Sequence, residues 1–207
     1  MIVIVLIITG IIWVVFSYLS VRGIEHPDYA VLKKQGEHEI REYESYYAAE
    51  VLLKGTQKES LSRGFKILFD YISGNNMKQE SIKMTAPVTQ QQEKKSERIA
   101  MTAPVMQEQR EESYVVSFMM PANYTLDKLP IPKDSSIKIV QRGGNKVAVL
   151  RFAGYATEER VMNKQARLKE RLKEDGYRII SSFHLALYNP PWTPPFMRRN
   201  EVMFLIQ

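Results

Sequence analysis

An α+β fold is predicted: a distorted antiparallel β-barrel built from two pseudo-repeated halves, with two helices, preceded by a transmembrane helix. Three observations predict it. The order hairpin, helix, strand, strand occurs twice between His38 and the end of the chain. The pentapeptide Met-Thr-Ala-Pro-Val also occurs twice, at 84–88 and 101–105. The opening MIVIVLIITGIIWVVFSYLSV carries no charge before Arg22.

That opening segment is a membrane anchor by length and composition. Twenty apolar residues rising about 1.5 Å each cross a hydrocarbon layer of about 30 Å. A cleaved signal would show a charged start, a shorter apolar run and a small-residue cleavage pattern, so residues 1–21 are expected to remain as a single-pass span. Trp13 and Tyr18 are candidates for its interfacial residues. Lys and Arg are absent before it and follow it as Arg22, Lys33, Lys34 and Arg41, which places the globular part on the cytoplasmic side. Residues 22–36 read as a polar linker, and residues 37–207 as the folded domain.

Within that domain, HEIREY and YYAAEVLLK alternate as a strand pair joined around Glu44-Ser45. A helix follows: Thr56 with Glu59 forms a capping box, Leu61, Phe65, Leu68 and Ile72 share a face, and Gly74 supplies the stop. The two MTAPV copies and YVVSFMMP resume the strands. In the second half SSIKIVQ turns through Gly143-Gly144-Asn145 into KVAVLRF, a hairpin signal. Thr157 then caps a helix with Glu158 and Glu159 at its positive end, Val161, Leu168 and Leu172 on its buried face and Gly176 at its close. FHLALY and EVMFLI finish the chain as strands. No glycine-rich nucleotide-binding loop joins a strand to a helix, which argues against a doubly wound fold.

The repeated pentapeptide suggests its own pairing. With the spacer TQQQEKKSERIA as a hairpin, Ala86 faces Ala103, Met84 faces Val105 and Val88 faces Met101, making one apolar strip. Its prolines cannot donate to a ladder, so they belong at non-hydrogen-bonded sites. The strip either packs against a helix or, being rich in methionine, forms a deformable wall for a flat apolar ligand, with Met84 and Met101 as contacts.

Composition narrows the function. Without cysteine there is no disulfide, thiolate metal site or cysteine nucleophile. The net charge of +6 favours anionic partners. No basic and aromatic pattern of a nucleic-acid reader is present, so nucleic acid is not an expected partner. The motifs G-x-S-x-G and H-E-x-x-H are absent. Enzymatic action would fall to a carboxylate such as Glu42 or Glu50, and a non-enzymatic role is expected.

Three segments, KMTAPV, AGYATEERV and NPPWTPPFMRRNEV, together resemble the SOUL haem-binding proteins over residues 37–207. The resemblance implies a distorted barrel of two pseudo-repeated halves and a ligand that is haem or another tetrapyrrole; with the anchor, which lies outside the resemblance, a membrane-tethered carrier or buffer is expected. It places the ligand in an apolar groove at the first domain helix, where Leu61, Phe65, Leu68 and Phe69 are the apolar contacts and Arg63 and Lys66 the partners of the propionates. Some members carry a histidine proposed as iron ligand in the segment matching REY, where this chain has Glu42. The metal ligand is therefore left open among its three histidines (His26, His38, His184), a Met or a Tyr, with binding through the macrocycle alone as the other alternative. In NPPWTPPFMRRNEV the prolines stiffen an extended clasp, with Arg198 and Arg199 available to carboxylates. The alternative to haem is a sensor or interaction module for another amphipathic small molecule or peptide.

Overall fold

The structure, a computed structural model, describes residues 2–79 and 96–207. An apolar helix, α1 (Ile2–Val21), leads into β1 (Tyr29–Gln35), β2 (His38–Tyr43) and β3 (Tyr46–Lys54). After α2 (Gln57–Ile72) come β4 (Asn76–Met77), β5 (Val105–Arg110) and β6 (Ser113–Met119). The second half holds β7 (Ile131–Pro132), β8 (Ile137–Arg142), β9 (Lys146–Phe152), α3 (Glu158–Glu174), β10 (His184–Leu187) and β11 (Asn200–Leu205). Short strands β4 and β7 pair with each other, and the other nine form one antiparallel sheet in the order β1-β2-β9-β11-β10-β5-β6-β3-β8.

Without β1 that order is a palindrome of the duplication. The halves contribute β2, β3, β5, β6 and β8, β9, β10, β11, and each half lends its first strand to the other: β2 pairs with β9, and β8 with β3. Both hairpins expected from the sequence are therefore corrected. β2 and β3 lie at opposite ends of the palindrome, yet only Glu44-Ser45 joins them, and Gly143–Asn145 is all that joins β8 to β9. A chain advances at most about 3.6 Å per residue, so the two ends of the sheet must meet, and the sheet curls into a half-barrel. The links touch where they cross. Gly144 N donates to Tyr43 O at 2.8 Å, and a Cβ on Gly143 (φ +98°) would stand 2.1 Å from Glu44 O, so only glycine fits there.

The predicted fold class thus holds, with two further corrections. The expected linker contains β1, which pairs with β2 along the sheet's edge. Its central five residues are exposed, so no hydrophobic alternation betrays it. The second MTAPV copy is not a ladder strand before Val105: Ala103 N donates to Glu25 O at 3.0 Å and Thr102 Oγ1 to Met119 O at 2.6 Å. Val105 pairs with Phe118 on one side and Leu187 on the other, leaving no free edge for the copy-on-copy ladder. Residues 84–88, the first copy, lie outside the described residues.

Alternation along the strands sorts the core into three parts. On the outer face, α3 covers Ala148, Leu150, Val202 and Phe204, and α2 covers Ala49, Val51, Val116 and Phe118. The inner face gathers Tyr43, Val147, Val149, Tyr188 and Met203.

Candidate functional site

Helix α2 carries Leu61, Arg63, Phe65, Lys66, Leu68 and Phe69, most of the contacts expected from the sequence, but only some of them on one outer surface. The capping box forms as expected: Glu59 N donates to Thr56 Oγ1 at 3.3 Å, and Thr56 N donates to the Glu59 carboxylate at 3.2 Å. The buried stripe, however, is Ser60, Gly64, Leu68, Tyr71 and Ile72. Gly64 lies so close to β6 that a Cβ there would stand 2.5 Å from Val116. Small residues at 60 and 64 seat the helix on that side and turn Phe65 and Phe69 outward. Phe65 is 37% exposed and Phe69 48%. Their rings stack at 5.7 Å with planes 10° apart, and Phe65 meets Phe118 edge-on at 5.4 Å.

Phe65, Phe69 and Lys66 therefore share an accessible surface, because Lys66 and Phe69 are helical neighbours three apart. Lys58 and Ser62, both exposed, continue the phenylalanine stripe at helical spacing. Lys58 was missed in the sequence; its place seven residues before Phe65 was the available signal. Other candidates do not join this group. Leu68 is wholly buried, Leu61 and Met101 pack half-buried against the α2 core, and Arg63 points round the helix and donates to Lys54 O at 3.4 Å. Met84 lies outside the described residues.

The inner face holds a second feature, a cavity of about 170 Å³. Tyr43, Tyr46, Tyr188, Met106 and Met203 line it together with Glu50, Glu108, Arg142 and His184. Arg142 donates twice to Glu50, at 2.7 and 2.8 Å, and Arg110 donates to Glu108 at 2.9 and 3.0 Å. His184 lies opposite Glu108 in register. Burial drives the His184 pKa below its ordinary value, outweighing the nearby Glu108 charge. Burial would raise the Glu108 pKa, but its Arg110 hydrogen bond and the surrounding positive charge hold it low.

Beneath this cavity sits Glu201, with no exposure. It accepts from Arg41 at 3.1 and 3.2 Å, from Arg199 at 2.8 and 2.9 Å and from Tyr188 Oη at 2.8 Å. Burial, reinforced by the Glu201 charge, pushes the Tyr43 hydroxyl up to about 12. Arg199 thus finds the carboxylate expected from the sequence, whereas Arg198 donates to the carbonyls of Thr193 and Pro191.

The cavity is near the size of one that holds a single benzene ring, about 150 Å³. Pockets that enclose larger ligands start at about 300 Å³. A tetrapyrrole cannot enter it as it stands, whereas the α2 surface sets no such limit. Among the described residues no group of three or more His, Asp or Glu could hold a metal. His38 Nε2 is 2.9 Å from Asp175, His26 Nδ1 is 3.1 Å from Ala103 O, and His184 faces the barrel interior, so no histidine lies on α2.

A family model described as SOUL heme-binding protein matches residues 24–205. The chain belongs to the SOUL family. The match begins before β1, so the family's domain includes the strand hidden in the expected linker. Heme-binding protein 2 of Homo sapiens is 29% identical over 174 residues, 83% of this chain and 78% of that protein. Heme-binding protein 1 of Xenopus laevis is 29% identical over 168 residues, 81% of this chain and 82% of the relative. Among solved structures, the C-terminal domain of EcmrR superposes with a TM-score of 0.59 at 9% identity, covering 86% of this chain and 98% of its own. A hydrolase from Listeria innocua superposes with a TM-score of 0.51 at 12% identity, covering 85% and 94%. At such identities the likeness of the SOUL chain to these two is one of fold.

Proposed function

We propose that the protein is a non-enzymatic, membrane-tethered binder of haem or a related tetrapyrrole, acting as a carrier or buffer. The macrocycle lies on the outer face of α2 against Phe65 and Phe69, and Lys58 and Lys66 meet its carboxylates. The observation that carries this reading is a stacked, half-exposed phenylalanine pair beside two lysines, on a chain whose relatives are named for haem binding. Because α2 presents no histidine, affinity comes from the ring system and the propionates. Haemin and metal-free protoporphyrin should then bind the full chain in detergent micelles with similar affinity and a saturable Soret shift. A shift no different from that of a Phe65→Ala/Phe69→Ala variant in the same micelles would reject the assignment.

The tether rests on α1, whose segment Val3–Val21 has mean hydropathy 2.5 and is 6% buried. Cytoplasmic exposure of the domain follows from the flanking cations and is tested by protease accessibility in sealed vesicles of known orientation.

The barrel cavity supports a second reading, a module for a small amphipathic molecule. Its tyrosines and methionines surround Glu50 and Glu108, each already paired with an arginine, which suits an uncharged single-ring molecule. Thermal stabilisation by benzyl alcohol, abolished when Ser117 of the cavity wall is replaced in Ser117→Phe while haemin binding persists, would support it. No stabilisation would reject it.

A further inference from the structure

The segment between β10 and β11 presents bulky apolar side chains to the outside on a rigid support. Prolines stand at 190, 191, 194 and 195, and each fixes its own φ. Thr193 N donates to Pro190 O at 3.1 Å, Met197 N to Pro194 O at 3.0 Å, and Gly154 N ties Pro195 O to the domain at 2.8 Å. Arg198 binds two carbonyls of the same loop. The loop buries Thr193 and Pro194 and holds its two large rings outward: Trp192 is 52% exposed and Phe196 71%. Such a rigid presentation marks a contact surface.

The contact is identified by what already touches the loop. Trp13 Nε1 of α1 donates to Trp192 O at 2.7 Å. Phe196 shares an apolar crevice with Ile7, Ile11, Val14 and Val15 of the same helix. One side of α1 faces the domain, with Ser17 wholly buried. Trp13 lies eight residues before the helix ends at Val21, about 12 Å along its axis. An upright span with a hydrocarbon layer of about 30 Å would put that level within the layer. Whatever meets the middle of the anchor meets lipid too.

We propose that the loop carrying Trp192 and Phe196 is a second membrane contact, a wedge inserted into the bilayer beside α1. The inference rests on the reading of α1 as a membrane anchor. The wedge restricts the domain's freedom about the anchor, because a single helix joined through residues 22–28 would otherwise let it swing. The indole supplies an apolar body with a polar edge and the phenyl ring a wholly apolar tip, side chains that enter an acyl-chain layer readily.

The chain has two tryptophans, one in each element, so each can be observed alone. The full chain is reconstituted into phosphatidylcholine vesicles containing brominated acyl chains, as Trp13→Phe to report on Trp192 and as Trp192→Phe to report on Trp13. The expected result is quenching of both with the same dependence on bromine depth, because Trp13 and Trp192 stand at one level. In the Trp13→Phe background, Phe196→Asp should red-shift Trp192 emission and reduce its quenching, since a carboxylate resists entry. Quenching of Trp13 without quenching of Trp192 overturns the wedge and leaves the anchor standing. If neither is quenched, the anchor reading fails and the wedge with it.

Discussion

Replacing Phe69 by alanine removes the most exposed apolar side chain of α2 with little harm to the core. A phenylalanine offers about 200 Å² of surface. An exposure of 48% therefore leaves roughly 95 Å² for a ligand to cover, worth about 2 kcal/mol at 25 cal/mol per Å². Phe69→Ala should weaken haemin binding about 30-fold. Phe65, 37% exposed, adds somewhat less, so the double variant should lose some 3–4 kcal/mol and fail to saturate in a micromolar Soret titration. Phe65→Ala also gives up its edge contact with Phe118, which makes Phe69→Ala the cleaner measurement. Circular dichroism checks that the helix survives. An affinity for Phe69→Ala within threefold of the parent, with the helix intact, would refute the placement on α2.

Lys58→Ala with Lys66→Ala should weaken haemin by about tenfold at most, less at high salt, while Arg63→Ala should leave a salt-series titration unchanged. Glu201→Ala strands Arg41, Arg199 and Tyr188 inside the barrel. A loss of about 3–5 kcal/mol follows, read as a melting temperature lower by roughly 10 °C; a fall under 2 °C would contradict it. Because the folded His184 pKa lies below 6.5, the unfolded chain binds the extra proton first. Stability present above that pH is lost as pH falls through the depressed value. Glu108, lowered from 4.5, adds a further loss below that pH, so denaturation against pH should keep only the lower step in His184→Gln. Gly64→Ala drives a methyl group into Val116 and should cost about 1–3 kcal/mol, detectable in the same melts.

Local chemistry was legible in the sequence. The threonine caps at 56 and 157 and the faces of Val161, Leu168 and Leu172 appear in the structure as read. Pairing partners were not legible. The Gly143-Gly144-Asn145 turn announces a reversal but does not say whether the strands that it joins bond to each other, and here each bonds across to the other half. The α2 site was half legible. Phe65, Lys66 and Phe69 stand exposed on the helix, but the buried side is set by Ser60 and Gly64, whose smallness matters only once Val116 is opposite. The interior cluster was out of reach. Glu50, Glu108, Arg142 and His184 come from separate strands, and only register brings them together.

The duplication itself argues for one ligand site per chain. Counted from the capping threonines, Phe65 and Phe69 on α2 correspond to Ala166 and Glu170 on α3, and Lys58 to Glu159. The position of Lys66 is taken by Arg167, already 2.8 Å from Glu37 in an ion pair. Both helices cover the sheet, yet the outer face of α3, where Met162 is exposed, carries no aromatic pair. The aromatic pair is the departure from that symmetry: Phe65 reaches Phe118 with its edge, and Phe69 stacks on Phe65 at the surface. A pair present in one half only suits a single site for the proposed ligand. Haemin should accordingly saturate at one equivalent, and a second equivalent of similar affinity would place the site somewhere that the two halves share.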